Sequence, residues 1–232
     1  MRDGVQTWIL MSIAGLAGAA FLFVGIADAV LEGGTHRFDT WLLLSLRHPA
    51  DPTDPLGPAW FEATMRDITA LGSTTILVFV SLAAIGYSLM MGMRHAAVAI
   101  AAATFGGIAL SHALKWGFDR PRPDLVPHGT LVLSQSFPSG HAMLSAIVYL
   151  TLGAMLARTQ NSPQVKAYLF ALAAMLTLFV GVSRVYLGVH WPSDVLAGWS
   201  LGAAWALIWQ VIMLRLSRRG GIEAPASLRA RD

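Results

Sequence analysis

The sequence predicts an all-α integral membrane protein, a bundle of six transmembrane helices with short interfacial helices in the first outer loop. Of its 232 residues, 55% are hydrophobic and only 12% are charged, whereas a soluble domain usually has about 25% charged residues. The mean hydropathy is +0.59. Long uncharged stretches recur along the chain, and a stretch of about 20 apolar residues is enough for a helix to cross a bilayer.

Six stretches are long enough, or nearly so, to cross the membrane: 4–27, 68–93, 95–114, 139–157, 167–183 and 195–214. The first is too long for the apolar region of a typical signal peptide and has no convincing cleavage site before Asp28, so we expect it to be retained. One domain is predicted over residues 1–220, followed by a disordered cytoplasmic tail at 221–232.

The longest connection, residues 31–67, is predicted to contain the interfacial helices. FDTWLLLSLR at 38–47 has a leucine-rich face and an arginine at its end, which is typical of an amphipathic helix that lies on a membrane. DPTDPLGP at 51–58 is rich in proline and interrupts the helix. WFEATMRD at 60–67 is predicted to form a second short helix that leads into the second span.

The basic residues favour one orientation in the membrane. With a cytoplasmic N-terminus, nine of the 16 Lys and Arg residues lie inside and seven lie outside. Four of the seven, Lys115, Arg120, Arg122 and Arg184, belong to the candidate site described below, and without them the distribution follows the positive-inside rule. We therefore expect a protein of the inner (cytoplasmic) membrane with both termini in the cytoplasm and the site facing the periplasm or the exterior.

Three polar stretches interrupt the apolar pattern at the outer ends of the predicted spans. KWGFDRPRP (115–123) ends the third span, FPSGH (137–141) opens the fourth, and SRVYLGVHWPSD (183–194) joins the fifth to the sixth. A charged side chain at the centre of a membrane helix costs about 2.5–3.5 kcal/mol by insertion scales and usually has a function. Because all three ends lie on one membrane face, we expect them to form one pocket.

The basic and small residues of this pocket predict a site for a tetrahedral oxyanion, and phosphate is the natural candidate. Lys115, Arg122 and Arg184 supply positive charge, and the two guanidinium groups suit bidentate binding. Ser139 is a favourable N-cap residue, and Gly140 lets a ligand approach the backbone. Their N–H groups are expected to form an anion site at the start of a helix.

Two histidines and one carboxylate supply the reactive groups. His190 and Asp194 are four residues apart, so Asp194 can accept a hydrogen bond from the imidazole and leave its other nitrogen free as a nucleophile. His141 comes from a different helix and can give its proton to a leaving oxygen. The pattern predicts attack by His190 on phosphorus, followed by hydrolysis of the phosphohistidine by water that His141 activates.

These residues resemble the three signatures of the type 2 phosphatidic acid phosphatase superfamily, which includes bacterial membrane lipid phosphatases and vanadium haloperoxidases. The matching patterns are K-x6-R-P at 115–123, P-S-G-H at 138–141 and S-R-x5-H-x3-D at 183–194. The resemblance implies a metal-independent phosphatase with His190 as nucleophile, Asp194 as its partner and His141 as acid and base. It implies five phosphate ligands: Lys115, Arg122, Ser139, Gly140 and Arg184. Arg120 does not fit the spacing, so its substitution is expected to matter less than that of Arg122.

No cofactor and no metal is predicted, because the nearby cations repel a metal ion and only Asp194 and the two histidines could ligate it. Cysteine is absent. A net charge of only +3 gives no reason to expect a nucleic acid partner. The expected substrate is a lipid phosphate of the outer leaflet, because the pocket opens where lipid headgroups lie.

The resemblance suggests undecaprenyl diphosphate, phosphatidylglycerol phosphate or phosphatidate as the substrate. The sequence does not distinguish among these lipids, and it does not indicate the oligomeric state. Four alternatives stay open: a phosphotransferase that uses an acceptor other than water, a lipid A phosphatase, a vanadate-dependent haloperoxidase, and a non-catalytic protein that binds or transports phospholipid. The six predicted spans argue against the haloperoxidase. The His190–Asp194 pair together with His141 argues against binding alone.

Overall fold

The computed structural model describes residues 2–126 and 134–218 and is helical apart from one small hairpin. Its elements in chain order are α1 (Arg2–Leu31), α2 (His36–Leu44), β1 (Arg47–His48), β2 (Asp51–Pro55), α3 (Ala59–Ala70), α4 (Thr74–Met90), α5 (Arg94–Phe118), α6 (Gly140–Arg158), α7 (Pro163–Tyr186) and α8 (Pro192–Arg218). The predicted helical architecture is confirmed, and the predicted tail at 221–232 lies outside the described residues.

In the described parts of the chain, α1, α5, α6, α7 and α8 are each long and apolar enough to cross a membrane. The predicted second span, 68–93, is divided between α3 and α4, which bend by 48° at their junction, and a sixth span results only if this pair is counted as one. Ser73 starts α4 as its N-cap and accepts a hydrogen bond from Ile76 N. Large apolar side chains such as Phe21 and Phe79 are exposed, as expected for a multi-pass membrane protein surrounded by lipid.

Two short helices occupy the first loop, and their ends differ from the prediction. The first, α2, ends at Leu44 rather than at residue 47, because residues 47–55 form the antiparallel β1–β2 hairpin in which Arg47 pairs with Pro55. The second, α3, begins one residue earlier than predicted and continues to Ala70. The proline-rich pattern at 51–58 predicts only a break in helix, so the hairpin is an additional element.

The central helix is α6, which packs against α4, α5, α7 and α8. Two glycines of α8 lie close to its backbone, since a Cβ on Gly198 would lie 2.7 Å from Ser139 O and one on Gly202 would lie 2.5 Å from Met143 O. Small residues four apart allow two membrane helices to approach this closely. The contact sets the first turn of α8 against the start of α6, where Ser139 N donates to Asp194 O at 3.0 Å.

Candidate active site

His190 lies in the link between α7 and α8 and is only 1% exposed. Its Nε2 is 3.1 Å from Arg122 Nη1, and its Nδ1 is 3.4 Å from Asp194 Oδ2. A guanidinium group has donors and no acceptor, so Nε2 carries the lone pair and the ring proton lies on Nδ1, facing the carboxylate. The surroundings therefore hold the tautomer in which Nε2 is able to attack an electrophile.

The electrostatic environment keeps His190 uncharged. Burial lowers the pKa of His190 well below its usual range, and the positive charges of Arg184, Arg122 and Lys115 lower it further. The ring is therefore neutral at pH 7, and neutral imidazole is the form that has a lone pair to donate.

Asp194, in the first turn of α8, is fully buried, and both of its carboxylate oxygens have partners. Oδ2 accepts hydrogen bonds from Trp191 N at 2.9 Å and from Ser136 Oγ. Oδ1 accepts from Arg120 Nη1 at 2.5 Å. A buried carboxylate is tolerated only when it is paired and hydrogen-bonded. These contacts fix the carboxylate in place opposite His190 Nδ1.

Lys115 and Arg184, in the last turns of α5 and α7, are both buried. Lys115 Nζ donates to Gln135 O at 2.8 Å, and Arg184 Nη1 donates to Thr69 Oγ1 at 3.1 Å. Within the ranges that the structure describes, no carboxylate forms an ion pair with either residue. Buried cations are normally paired, so both are suited to an anionic ligand.

Arg122 follows α5 and reaches over the link that carries His190. Its Nε donates to Ser134 O at 2.9 Å and its Nη1 donates to Val189 O at 2.6 Å, beside His190 Nε2. It too has no carboxylate partner among the described residues. Arg122 is thus held by backbone carbonyls with its charge directed at the imidazole.

The start of α6 lies in the same cluster. Helix α6 begins at Gly140, where a Cβ would lie 3.6 Å from Lys115 Cε, and Ser139 is the N-cap residue. Ser139 Oγ is buried and has no hydrogen-bond partner among the described residues. The expectation that the Ser139 N–H binds an anion is wrong, because this group donates to Asp194 O. The hydroxyl is the donor that Ser139 retains for a ligand.

His141, the second residue of α6, faces the break between α3 and α4. A Cβ on Gly72 would lie 3.4 Å from His141 Cδ2, so the ring packs against this glycine. The charges of Arg184, Lys115 and Arg122 act on both His141 and His190. The predicted cations and both predicted histidines therefore belong to one electrostatic cluster.

The structure adds a buried chain of ion pairs that the sequence pattern does not reveal. Arg120 donates from Nη1 to Asp194 and from Nη2 to Asp39 Oδ2, the second contact at 2.7 Å. Asp39 belongs to α2, is fully buried, and accepts from Ser193 N at 2.8 Å. Arg120 thus links α2 to the partner of His190, which gives a structural reason for Arg120 to matter as well as Arg122.

Comparison with known proteins gives this cluster a family context. The model of the PAP2 superfamily matches residues 96–218, which include all eight predicted site residues. Phosphatidylglycerophosphatase B of Bacillus subtilis (strain 168) is 35% identical over 147 residues, covering 62% of this chain and 70% of that protein. An undecaprenyl-diphosphatase of Sulfolobus acidocaldarius is 32% identical over 136 residues, covering 59% of this chain and 57% of that protein.

A solved structure shows the same likeness in three dimensions. The crystal structure of a transmembrane PAP2-type phosphatidylglycerolphosphate phosphatase from Bacillus subtilis matches with a TM-score of 0.75 at 26% identity. The match covers 88% of this chain and 98% of that chain. Since the family model spans more than half of the sequence and includes the whole cluster, the chain belongs to the PAP2 superfamily.

Proposed function

We propose that the protein is a membrane lipid phosphatase that hydrolyses a lipid phosphomonoester or diphosphate without a metal ion. The observation that carries the proposal is the neutral, buried His190, whose Nε2 lone pair faces Arg122. Lys115, Arg122 and Arg184 surround it and lack carboxylate partners in the described chain. Cations that have hydrogen-bonding capacity to spare suit a multiply charged oxyanion rather than a metal.

In the proposed first step, His190 Nε2 attacks phosphorus in line, so that a P–N bond forms and the bond to the leaving oxygen breaks. Asp194 stabilises the positive charge that develops on the imidazole. The negative charge of the bound phosphate offsets the neighbouring cations, so that His141 is protonated and donates its proton to the leaving oxygen. Arg122 Nη1 passes from Nε2 to a phosphate oxygen and, with Lys115 and Arg184, neutralises the equatorial oxygens.

In the proposed second step, water attacks the phosphohistidine. His141, now neutral, takes a proton from the water, and the P–N bond breaks to release phosphate and neutral His190. The hydroxyl of Ser139 and the backbone at Gly140 complete the phosphate site. Metal is not needed because positive charge is already supplied by side chains.

The proposed substrate is a lipid phosphate of the outer leaflet, and the names of the two relatives and of the crystal structure support this class. Lys115 and Arg184 lie in the last turns of their helices, and Asp194 lies in a first turn, so the site is at one end of the bundle. The excess of basic residues at the other end supports a site at the outer face of the inner membrane, with both termini cytoplasmic.

The proposed function is tested by phosphate release from the purified protein in detergent with EDTA present. Undecaprenyl diphosphate, phosphatidylglycerol phosphate, phosphatidate and lipid A form the substrate panel. We expect release from at least one lipid, no effect of EDTA, and inhibition by orthovanadate, because vanadate resembles the pentacoordinate phosphoryl transition state.

Dependence on a removable metal would contradict the metal-independent mechanism. If folded protein releases phosphate from none of the lipids, hydrolysis is contradicted. Transfer of the phosphoryl group to an acceptor other than water would then indicate a phosphotransferase.

A further inference from the structure

A cavity of about 590 Å³ opens beside the cationic cluster, between the β1–β2 hairpin, α3 and the end of α7. Arg184 and Val189 both line it, and the Val189 carbonyl accepts a hydrogen bond from Arg122. The cavity therefore adjoins the phosphate site. Its volume lies in the range of roughly 300–1,000 Å³ that is typical of small-molecule sites. It can hold more of a headgroup than the scissile phosphate.

Arg47, at the start of the hairpin, lines the same cavity and is only 5% exposed. Its Nη2 donates to Tyr186 O at 2.6 Å, whereas its Nε is buried and has no partner among the described residues. A buried guanidinium with so few partners is unfavourable unless an anion completes its hydrogen bonds. Arg47 therefore lines the cavity with a positive charge and with hydrogen-bonding capacity that the described residues do not use.

Arg47 also contacts the segment that leads to His190. A Cβ on Gly188, which has a φ of +70°, would lie 2.8 Å from Arg47 Nη2. Gly188 is two residues before His190. The guanidinium group is therefore held directly against the link that carries the proposed nucleophile.

Carboxylates line this cavity too, but each has another partner. The contacts are Asp51 with Thr53, Asp54 with His48, and Glu62 with Arg66. Among the described lining residues, Arg47 and Arg184 are the two cations that have no carboxylate partner. The carboxylates can still accept hydrogen bonds from headgroup hydroxyls. The charges of Glu62 and Asp54 also act on Arg47, but neither forms an ion pair with it, so both arginines can still donate to phosphate.

We propose that Arg47 is a second anion subsite, which binds a second phosphate group beyond the scissile phosphate of the substrate. The proposal rests on the proposed function, in which Lys115, Arg122 and Arg184 hold the scissile group. A lipid diphosphate has a second phosphate bonded directly to the first, and phosphatidylglycerol phosphate has one separated from the first by a glycerol. Phosphatidate has the scissile phosphate alone. The subsite therefore favours lipids that carry two phosphate groups.

The test compares Arg47→Gln with the wild-type protein on undecaprenyl diphosphate, phosphatidylglycerol phosphate and phosphatidate. Glutamine can still donate to Tyr186 O but has no charge. We expect kcat/KM to fall by about tenfold or more on one or both two-phosphate lipids and to stay within about twofold on phosphatidate, as for loss of one charge-assisted hydrogen bond. The lipid on which kcat/KM falls shows which spacing between the two phosphate groups fits the subsite.

Arg66→Gln is the matched control, because Arg66 lines the same cavity but is exposed and paired with Glu62. It is expected to change kcat/KM by less than about twofold on every lipid. If Arg47→Gln lowers kcat/KM equally on all three lipids, Arg47 only shapes the link to His190. If it lowers kcat/KM on none of them, the proposed subsite is wrong. If Arg47→Gln does not fold, Arg47→Lys is used instead, because it keeps the charge and loses the bidentate guanidinium group. We expect it to lower kcat/KM on the same two-phosphate lipids, by a smaller factor, and not on phosphatidate.

A wild-type protein that hydrolyses none of these lipids would refute the proposed function separately. The subsite is then tested by thermal unfolding with phosphate, pyrophosphate or glycerol 1,3-bisphosphate present. We expect a two-phosphate probe to raise Tm more than phosphate does, and Arg47→Gln to abolish the difference. Equal effects of all three probes on the wild-type protein would overturn the subsite.

Discussion

His190→Ala is expected to reduce phosphate release by at least about 10⁴-fold, as loss of the nucleophile does in other covalent mechanisms. The substitution removes the atom that forms the P–N bond, while Lys115, Arg122 and Arg184 remain to bind phosphate. Binding is thus expected to survive when turnover does not. Initial rates with the preferred lipid and the binding of inorganic phosphate, both measured on the variant and the wild type, separate the two effects.

The control for His190→Ala is the substitution of another histidine, which lies at the same end of the bundle. His112 is exposed on α5 about one turn before Lys115, so His112→Ala is expected to keep activity within about twofold of wild type. Thermal unfolding in detergent shows whether His190→Ala is folded. A folded His190→Ala protein with activity within about tenfold of wild type would place the nucleophile elsewhere.

Arg120→Ala is expected to destabilise the protein by about 3–5 kcal/mol, the usual cost of removing one partner from a buried ion pair. Asp39 and Asp194 would both lose their cation, and Asp194 would no longer be fixed opposite His190. We therefore expect kcat to fall by about 100-fold with a smaller change in KM. Thermal unfolding and steady-state kinetics measure the two effects.

Three further variants separate positioning from general damage. Arg120→Lys keeps the charge and is expected to restore part of kcat. Asp39→Asn combined with Arg120→Ala is expected to cost less than the sum of the single changes, because the residues share one chain of contacts. Arg122→Ala, which removes a proposed phosphate ligand, is expected to raise KM as well. Wild-type stability and kcat in Arg120→Ala would show that the Asp39–Arg120–Asp194 chain has no positioning role.

The sequence was sufficient for the local part of the site. His190 and Asp194 are one helical turn apart, and Ser139, Gly140 and His141 are consecutive, so their proximity follows from spacing alone. Lys115 and Arg184 could be added because the predicted topology puts the ends of their spans on one face. These predictions needed the order of the spans and not their packing.

What the sequence could not supply depends on contacts between distant segments. Asp39 and Arg120 are 81 residues apart in sequence. They meet because α2 and the segment after α5 both contact the first turn of α8, where Arg120 donates to Ser193 and Asp194. Likewise, the bend between α3 and α4 leaves no mark on hydropathy, because no charge interrupts 68–93. Gly72 lies at this bend and packs closely against Val180 and His141.

The proposed covalent intermediate on His190 can be trapped and identified. The protein is mixed with a lipid radiolabelled in its terminal phosphate and quenched within one turnover in alkaline denaturant, in which phosphohistidine survives. We expect an acid-labile, base-stable label on the peptide that contains His190, and none in a folded His190→Ala protein. Turnover without any labelled protein, or a label that persists in His190→Ala, would contradict it.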